Sequence, residues 1–372
     1  MSLAVALGAR QLGLTWPNPS VGAVLVDASV SEPRIISQGA TQPTGRPHAE
    51  PVAIAKAGPA ARGATLYVSL EPCSHYGKVP PCAEAIVAAG IARVVTAIED
   101  PDPRVAGRGH ALLRSAGLEV VIGEGAAEAA RAHRGHISRV VRGRPWTTLK
   151  LAQTADGYAA RQGERLLITQ EGANARTHLM RAHADAILVG ISTMLVDDPR
   201  LNVRLPGLEE RSPIRVVIDT HLQTPSSSRV VATARLRPIW ILCSEGARIE
   251  DEARLAAEGA EVIRVVADAM GRVDLAAALC ALGARGITRL FCEGGPTLAE
   301  ALAAADLLDE VVLMTSAARL LTSSEAPIGA HPASRPSLGA ALRARFRPVD
   351  AEQVGPDRIE TFERIAACSP AS

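Results

Sequence analysis

The sequence predicts an α/β protein of two domains, and three observations carry that expectation. The chain has 372 residues, more than one compact domain usually holds. In both halves short apolar runs of strand type alternate with Ala-rich helical ones, the pattern of layered α/β architecture. Between the halves, Gly143-Arg144-Pro145 breaks a polar, basic helical stretch just before a new strand begins. The domains are therefore expected at 1–144 and 145–372.

The elements follow in order. Leu3-Ala4-Val5-Ala6-Leu7 opens the chain as an amphipathic stretch. Apolar runs at 22–26, 65–69 and 93–97 read as strands, with a shorter one at 120–122. Helices are expected at 49–57, from Cys82 to a Gly90 cap, at 106–116, and as one polar helix over 126–142. In the second half a strand starts at Pro145-Trp146-Thr147. Buried strands follow at 186–189, 214–219, 239–243, 262–266, 290–292 and 310–314, and 358–363 returns as a last strand. Helices are expected at 174–182, 274–282 and 297–305. Pro225-Ser226-Ser227-Ser228 is a loop, and no internal repeat is visible.

Two short stretches carry the chemistry of the first half. Pro47-His48-Ala49-Glu50 and Glu71-Pro72-Cys73, running on to Pro80-Pro81-Cys82, supply an imidazole, two thiols and a carboxylate. That is the ligand set of a zinc-dependent deaminase. Zn²⁺ takes nitrogen and sulfur donors in a tetrahedral shell, and a catalytic site keeps one position for water. His48, Cys73 and Cys82 fill three positions. Glu50, two residues beyond the histidine, is then free to move a proton from that water to the substrate. The histidine and Cys82 each stand where a helix opens, and the positive end of a helix favours thiolate over thiol. Taken singly, a His-x-Glu is a weak signal and a cysteine is usually a buried small hydrophobe. A closed structural zinc, with His75 as fourth ligand, is the rival reading.

In the second half the clearest feature is Glu293-Gly294-Gly295-Pro296-Thr297-Leu298, joining a strand to a helix. Paired glycines let an anion approach the backbone, and the helix N-terminus offers free N–H groups. A tight connection with no ligand gives the same pattern, and there is no Gly-x-Gly-x-x-Gly.

The spacing Glu71-Pro72-Cys73-Ser74-His75-Tyr76-Gly77 followed by Pro80-Pro81-Cys82 departs from the compact Pro-Cys-x-x-Cys signature. It resembles the long-loop form of the riboflavin biosynthesis bifunctional deaminase–reductase family. Pro17-Asn18-Pro19-Ser20-Val21-Gly22 and Asp100-Pro101-Asp102-Pro103-Arg104-Val105-Ala106-Gly107-Arg108-Gly109 are similar to two further motifs of that family, and the resemblance spans nearly the whole chain. It implies a cytidine deaminase-like three-layer α/β/α domain followed by a dihydrofolate reductase-like α/β domain. It also implies two reactions. The first is zinc-dependent deamination of 2,5-diamino-6-ribosylamino-4(3H)-pyrimidinone 5′-phosphate; the second is reduction of the ribosyl chain to ribityl by NADPH. Carried across by position, the resemblance makes Ala152, Thr193, Asp197, Thr220, Gly295, Pro296, Thr297, Leu298, Ala299, Glu300 and Ala301 dinucleotide contacts. It makes Arg165, Arg181, Leu201, Arg204 and Glu293 substrate contacts in the reductase half and Asn18 one in the deaminase half. Guanidinium groups suit a ribose 5′-phosphate, which they bind through paired hydrogen bonds. Without the resemblance, Arg181 reads as a solvated helix residue and Arg204 as a surface loop charge. Lys150, in the same strand as Ala152, is expected to polarise the substrate near Glu293.

The chain departs from the family at several positions. Arg165 stands where a serine contacts substrate, Leu167 where tryptophan is usual, and Asn202 where threonine is. Trp16 replaces a common histidine, and Asp102 an asparagine. The changes at Arg165 and Leu167 leave open an alternative: a deaminase whose second half binds or assembles without reducing.

Composition narrows the partners. Lys and Arg total 40 against 39 Asp and Glu, for a net charge of +1. Basic residues form no run and aromatics are 2%, so the cationic groove and stacking platforms of a nucleic-acid deaminase are not expected. A small-molecule substrate is. No run of about 18 apolar residues suggests a membrane span, and the start lacks the basic residues that precede a signal peptide's apolar core. Of the six cysteines, Cys243, Cys280, Cys292 and Cys368 are scattered, mostly in apolar runs, and read as reduced core residues rather than bridges. A cytoplasmic protein follows, and the resemblance adds a homo-oligomer, dimer or tetramer.

Overall fold

A computed structural model describes residues 1–29, 31–77, 80–161, 168–319, 330–332 and 345–365. The chain divides into two compact units, Met1–Pro145 with Gly283–Thr288, and Trp146–Leu282 with Arg289–Ser372.

In the first unit the strands are β1 (Gly22–Asp27), β2 (Arg34–Ala40), β3 (Thr65–Val68), β4 (Arg93–Thr96) and β5 (Glu119–Ile122). They form one sheet in the order β2-β1-β3-β4-β5. β1 runs antiparallel to β2 and β3, while β3, β4 and β5 are parallel. The helices are α1 (Ser2–Ala9), α2 (Ala49–Ala57), α3 (Cys82–Ala88), α4 (Arg108–Ser115), α5 (Ala126–Ala132) and α6 (Arg134–Arg142). Leu25, Leu66, Val68, Ile86, Val94 and Leu113 interlock in the core between sheet and helices. The apolar face of each short strand supplies one side of it, and Ala-rich helices allow close approach on the other.

The second unit is built on nine strands in the order β11-β10-β9-β8-β12-β6-β13-β16-β15. These are β6 (Trp146–Gln153), β8 (Ala186–Gly190), β9 (Ile214–Ile218), β10 (Ile239–Ser244), β11 (Glu261–Val265), β12 (Arg289–Cys292), β13 (Glu310–Thr315), β15 (Phe346–Val354) and β16 (Asp357–Arg364). β7 (Tyr158–Arg161) and β14 (Ala330–Pro332) pair separately. From β11 to β13 every neighbour is parallel, and β16 and β15 add on antiparallel. The central strands read as unbroken apolar runs because both faces of a parallel sheet are covered; β10 is buried along its whole length. The helices are α7 (Glu171–Ala182), α8 (Ile191–Asp197), α9 (Ile249–Ala257), α10 (Leu275–Ala284) and α11 (Pro296–Ala304).

Three expectations need correction. The helix expected over 126–142 is two, α5 and α6, because the backbone turns at His133 (φ −91°, ψ 6°). The turn lets the buried His133 imidazole meet the Ser69 hydroxyl at 3.1 Å. β2 and β15 carry no period-2 apolar pattern that marks them: β15 is an edge strand with largely exposed positions, and the buried positions of β2 are Ser37 and Gly39, which give no apolar signal. Cys280 is exposed, whereas Cys243 and Cys292 are buried.

Candidate active sites

In the first unit, α2 and α3 begin at the functional residues themselves. His48 is the N-cap of α2, and Pro81 is the N-cap that makes Cys82 the first residue of α3. Proline at these boundaries is compatible with extended backbone and loses no helical hydrogen bond. Cys73 reaches the same point from the segment after β3. His48 Nδ1 lies 3.3 Å from Cys82 Sγ and 3.7 Å from Cys73 Sγ. The Cys82 amide donates to Cys73 Sγ at 3.3 Å. The three ligand atoms lie within 4.8 Å of one another, and among the described residues His75 is outside that group.

The electrostatics are those of a metal site. The Cys73 thiol is held down to about 4, first by the hydrogen bond from Cys82 and then by His48. Cys82 is pushed well up by giving that hydrogen bond, by burial and by Glu50. With a divalent cation bound, both sulfurs would be thiolates. Glu50 is 3% exposed and is raised to about 7, mainly by burial and next by the Cys73 charge. The donor set and its mutual approach fit Zn²⁺.

One residue of this site was quoted in the sequence only as part of a motif. Glu71, 4% exposed, accepts four backbone N–H groups: Gly109 and His110 on Oε1, Asp100 and Gly107 on Oε2, at 2.8–3.3 Å. It pins the Asp100 to Gly109 loop to the cysteine segment. Gly109 completes the join, since a Cβ there would stand 2.1 Å from the Pro72 carbonyl oxygen. Asp100 in turn meets His136 Nε2 at 2.9 Å. Nothing in local sequence distinguishes a carboxylate that holds a loop from one on the surface. Asn18 donates through Nδ2 to the Gly45 carbonyl at 3.3 Å, three residues before His48. Asp102 is held at about 2 by its hydrogen bonds with Arg104, which neutralises the charge that replaces asparagine. Trp16 is half-buried.

In the second unit the predicted residues gather at the C-terminal ends of adjacent parallel strands, where open α/β sheets form ligand crevices. Ala152 is near the end of β6, and Lys150 is two residues earlier on the same face. β8 runs directly into α8, which carries Thr193 and ends at Asp197. Thr220 follows β9; its hydroxyl accepts the Val273 amide at 3.3 Å and its carbonyl the Ser244 amide at 3.2 Å. β12 leads to Glu293 and Gly294, and Gly295 caps α11, whose opening turns are Pro296, Thr297, Leu298, Ala299, Glu300 and Ala301. A Cβ on Gly295 would be 4.0 Å from Thr193 Oγ1, so the helix turn and Thr193 face one another.

Arg181, from α7, grips Glu293 with two hydrogen bonds, Nε to Oε1 at 2.5 Å and Nη2 to Oε2 at 2.9 Å. Its Nη1 donates to the Asn202 carbonyl at 2.9 Å. Burial pushes Glu293 up, but the Arg181 charge and hydrogen bonds, with Lys150, carry it below the ordinary carboxylate range. Lys150 is lowered by burial, against the pull of Glu293. Arg181 is no solvated helix residue: its side chain is 11% exposed. Beside it, a cavity of about 230 Å³ is lined by Arg181, Pro199, Arg200, Leu201, Arg204 and Arg229. Leu201 is buried at a left-handed φ of 50°, and the Arg204 amide donates to His178 Nδ1 at 3.2 Å. Arg165 and Leu167 lie outside the described residues.

Comparison with known proteins meets the same two halves. Residues 1–98 match the cytidine and deoxycytidylate deaminase zinc-binding region, and residues 145–357 match the RibD C-terminal domain. The Escherichia coli riboflavin biosynthesis protein RibD is 38% identical over 96% of both chains, and the Mycobacterium tuberculosis protein of that name is 36% identical over 96% of this chain and 95% of its own. This chain belongs to the RibD family. Solved structures agree: Acinetobacter baumannii RibD superposes with a TM-score of 0.83 at 31% identity, covering 98% of this chain and 97% of that one. A Thermotoga maritima diaminohydroxyphosphoribosylaminopyrimidine deaminase/5-amino-6-(5-phosphoribosylamino)uracil reductase gives 0.79 at 29%, with the same coverage. As a RibD-family protein, the chain is a bifunctional deaminase and reductase of riboflavin biosynthesis, with zinc and NADPH as cofactors. The deaminase-only alternative loses its ground, because the second half matches the reductase domain of the family. Among the described residues, no helix is long and apolar enough to cross a membrane.

Proposed function

We propose that residues 1–144 remove the 2-amino group of 2,5-diamino-6-ribosylamino-4(3H)-pyrimidinone 5′-phosphate, and that residues 145–372 reduce the ribosyl chain of the resulting 5-amino-6-(5-phosphoribosylamino)uracil. The observation that carries the first step is the convergence of His48 Nδ1 and two cysteine sulfurs beside a buried Glu50. His48, Cys73 and Cys82 hold the zinc. When bound, the zinc supplies the Lewis acidity that makes water a nucleophile near neutral pH. Glu50 takes the proton released by the water and gives it to the pyrimidine ring nitrogen; it then carries the proton of the added hydroxyl to the 2-amino group, which leaves as ammonia as its C–N bond breaks and the carbonyl forms. A carboxyl raised to about 7 is matched to both duties at neutral pH. Asn18, beside the His48 approach, contacts the pyrimidine.

For the second step, the dinucleotide lies along Ala152, Thr193, Asp197, Thr220 and the turn 295–301, its phosphates toward the N-terminus of α11. Arg181, Leu201, Arg204 and Glu293 contact the substrate, and Arg165 is a further contact. The arginine-lined cavity supports this reading, because it suits the ribose 5′-phosphate. Lys150, buried beside Glu293, polarises the sugar carbon that receives hydride. The protein is assigned to the cytoplasm, in keeping with its free thiols, as a homo-oligomer, dimer or tetramer, which sedimentation would check.

The test supplies the purified protein with the diaminopyrimidinone ribotide and NADPH and follows ammonia and NADPH together. Ammonia release followed by NADPH oxidation is expected. Ammonia without NADPH loss would reject the second step and its residue assignments.

A further inference from the structure

The loop that presents Leu201 and Arg204 is an awkward piece of backbone. Leu201 sits at φ 50°, a left-handed conformation that a leucine keeps only where surrounding contacts over-determine it. Leu201 itself packs into the core of the unit, and the residues after it are held from one face of α7. His178 and Arg181 are three residues apart and therefore neighbours on the helix surface. Arg181 Nη1 donates to the Asn202 carbonyl at 2.9 Å, and His178 Nδ1 accepts the Arg204 amide at 3.2 Å. Arg204 Nη1 closes the loop on itself by donating to Asn202 Oδ1 at 3.1 Å. Of these, the His178 bond alone fixes the backbone of Arg204, the residue whose direction matters to an anion in the adjoining cavity.

We infer that His178 is a positioning residue for the reductase: its neutral imidazole, accepting the Arg204 amide, holds residues 201–204 in the form that receives the phosphorylated substrate. The inference rests on the proposed role of Leu201 and Arg204 as substrate contacts. An imidazole can accept at Nδ1 only without a proton there, which puts the ring proton on Nε2. The surroundings enforce neutrality. His178 is lowered to about 4 by burial, then by the charges of Arg181 and Arg204, against Glu293 and the Asn202 carbonyl.

The test measures reductase KM and kcat for the aminouracil ribotide in the full-length zinc-loaded protein, with deaminase turnover of the same preparation as the control for folding. His178→Leu is expected to raise KM about tenfold, one hydrogen bond's worth at ~1.4 kcal/mol, with kcat within about twofold and deamination unchanged. His178→Asn, whose Oδ1 accepts from nearly the same place, should recover most of the loss. An unchanged KM in His178→Leu overturns the inference, and so does an Asn variant as impaired as the Leu one. If His178→Leu melts early, His178→Gln carries the same test, since its amide oxygen sits one bond farther out: a raised KM supports the role and an unchanged KM rejects it. Arg204→Gln separates the two readings. If it raises KM while the His178 variants do not, the inference alone fails. If Arg204→Gln also leaves KM unchanged, the substrate assignment fails with it.

Discussion

Glu50 shows how much one side chain's surroundings decide. A surface glutamate would be fully ionised at pH 7, but burial and then the Cys73 charge raise this one to about 7 in the metal-free site. Glu50→Gln keeps the three ligands and removes the proton carrier. Zinc content should stay at one per chain while deamination falls by about 10²- to 10⁴-fold; turnover at the native rate would exclude the assigned role. Cys82→Ser trades a sulfur ligand for a poor one, and zinc should be lost on dialysis, measured by metal analysis. In the other half, Lys150→Met should lower reductase kcat on the order of tenfold to a hundredfold without touching deamination. Unchanged reductase kinetics would show that Lys150 only packs beside the Arg181–Glu293 pair. The convergence of His48, Cys73 and Cys82 was legible because zinc chemistry demands particular donors, and here they stand next to proline-bounded helix starts. Glu71 was not, since its role lies in four amides that come from about 30 to 40 residues away in sequence.

At the scale of elements, the cysteine segment and α4 are locked by a glycine. Gly109→Ala would drive a methyl group into the Pro72 carbonyl, 2.1 Å from where Cβ must stand. Both partners are backbone, so neither yields cheaply. A cost of about 1–3 kcal/mol is expected, read as a lower denaturation midpoint, together with weaker zinc retention because Pro72 adjoins Cys73. Helices with their own punctuation were legible: α2 between His48 and Gly58, and α3 from Pro81 to Gly90. The division at His133 was not, although the propensity drops there, from the Ala-rich α5 to an α6 that holds Gly135 and two valines. At the break His133 meets the Ser69 hydroxyl, a partner 64 residues away that local sequence does not announce. The edge strands β2 and β15 were missed because β15 lies largely in water and the buried face of β2 is made of Ser37 and Gly39, so neither has an apolar signature.

For the whole molecule, the two chemistries should respond separately. Stripping zinc with a chelator should abolish ammonia release and leave NADPH oxidation on supplied aminouracil ribotide intact; readding zinc should restore the first. Loss of both together would contradict separate sites. Acid should weaken the second unit in a defined window. His183 is lowered to about 4, by burial first and then by Arg211 and Arg289, and His178 similarly. The folded state therefore binds fewer protons than the unfolded one between about pH 4 and the ordinary histidine value of 6.5. Its stability is fully present above 6.5 and is lost as pH falls through that range toward 4. Denaturant midpoints measured across it should fall with pH, and His183→Asn should flatten the fall; midpoints independent of pH would rule out two half-buried neutral imidazoles.

The sequence by itself determined the α/β class of both halves, and it singled out the residues proposed as zinc ligands and proton carrier, and the glycine turn before α11. Those depend on residue type and short spacing, which chemistry and backbone sterics constrain locally. Tertiary structure alone decided that Glu71 holds a loop, that Arg181 is buried against Glu293 rather than solvated, and that His178 reaches the Arg204 amide. Each of these is a partnership between segments distant in the chain. A buried polar group is defined by the partner that satisfies it, and only folding brings that partner within reach.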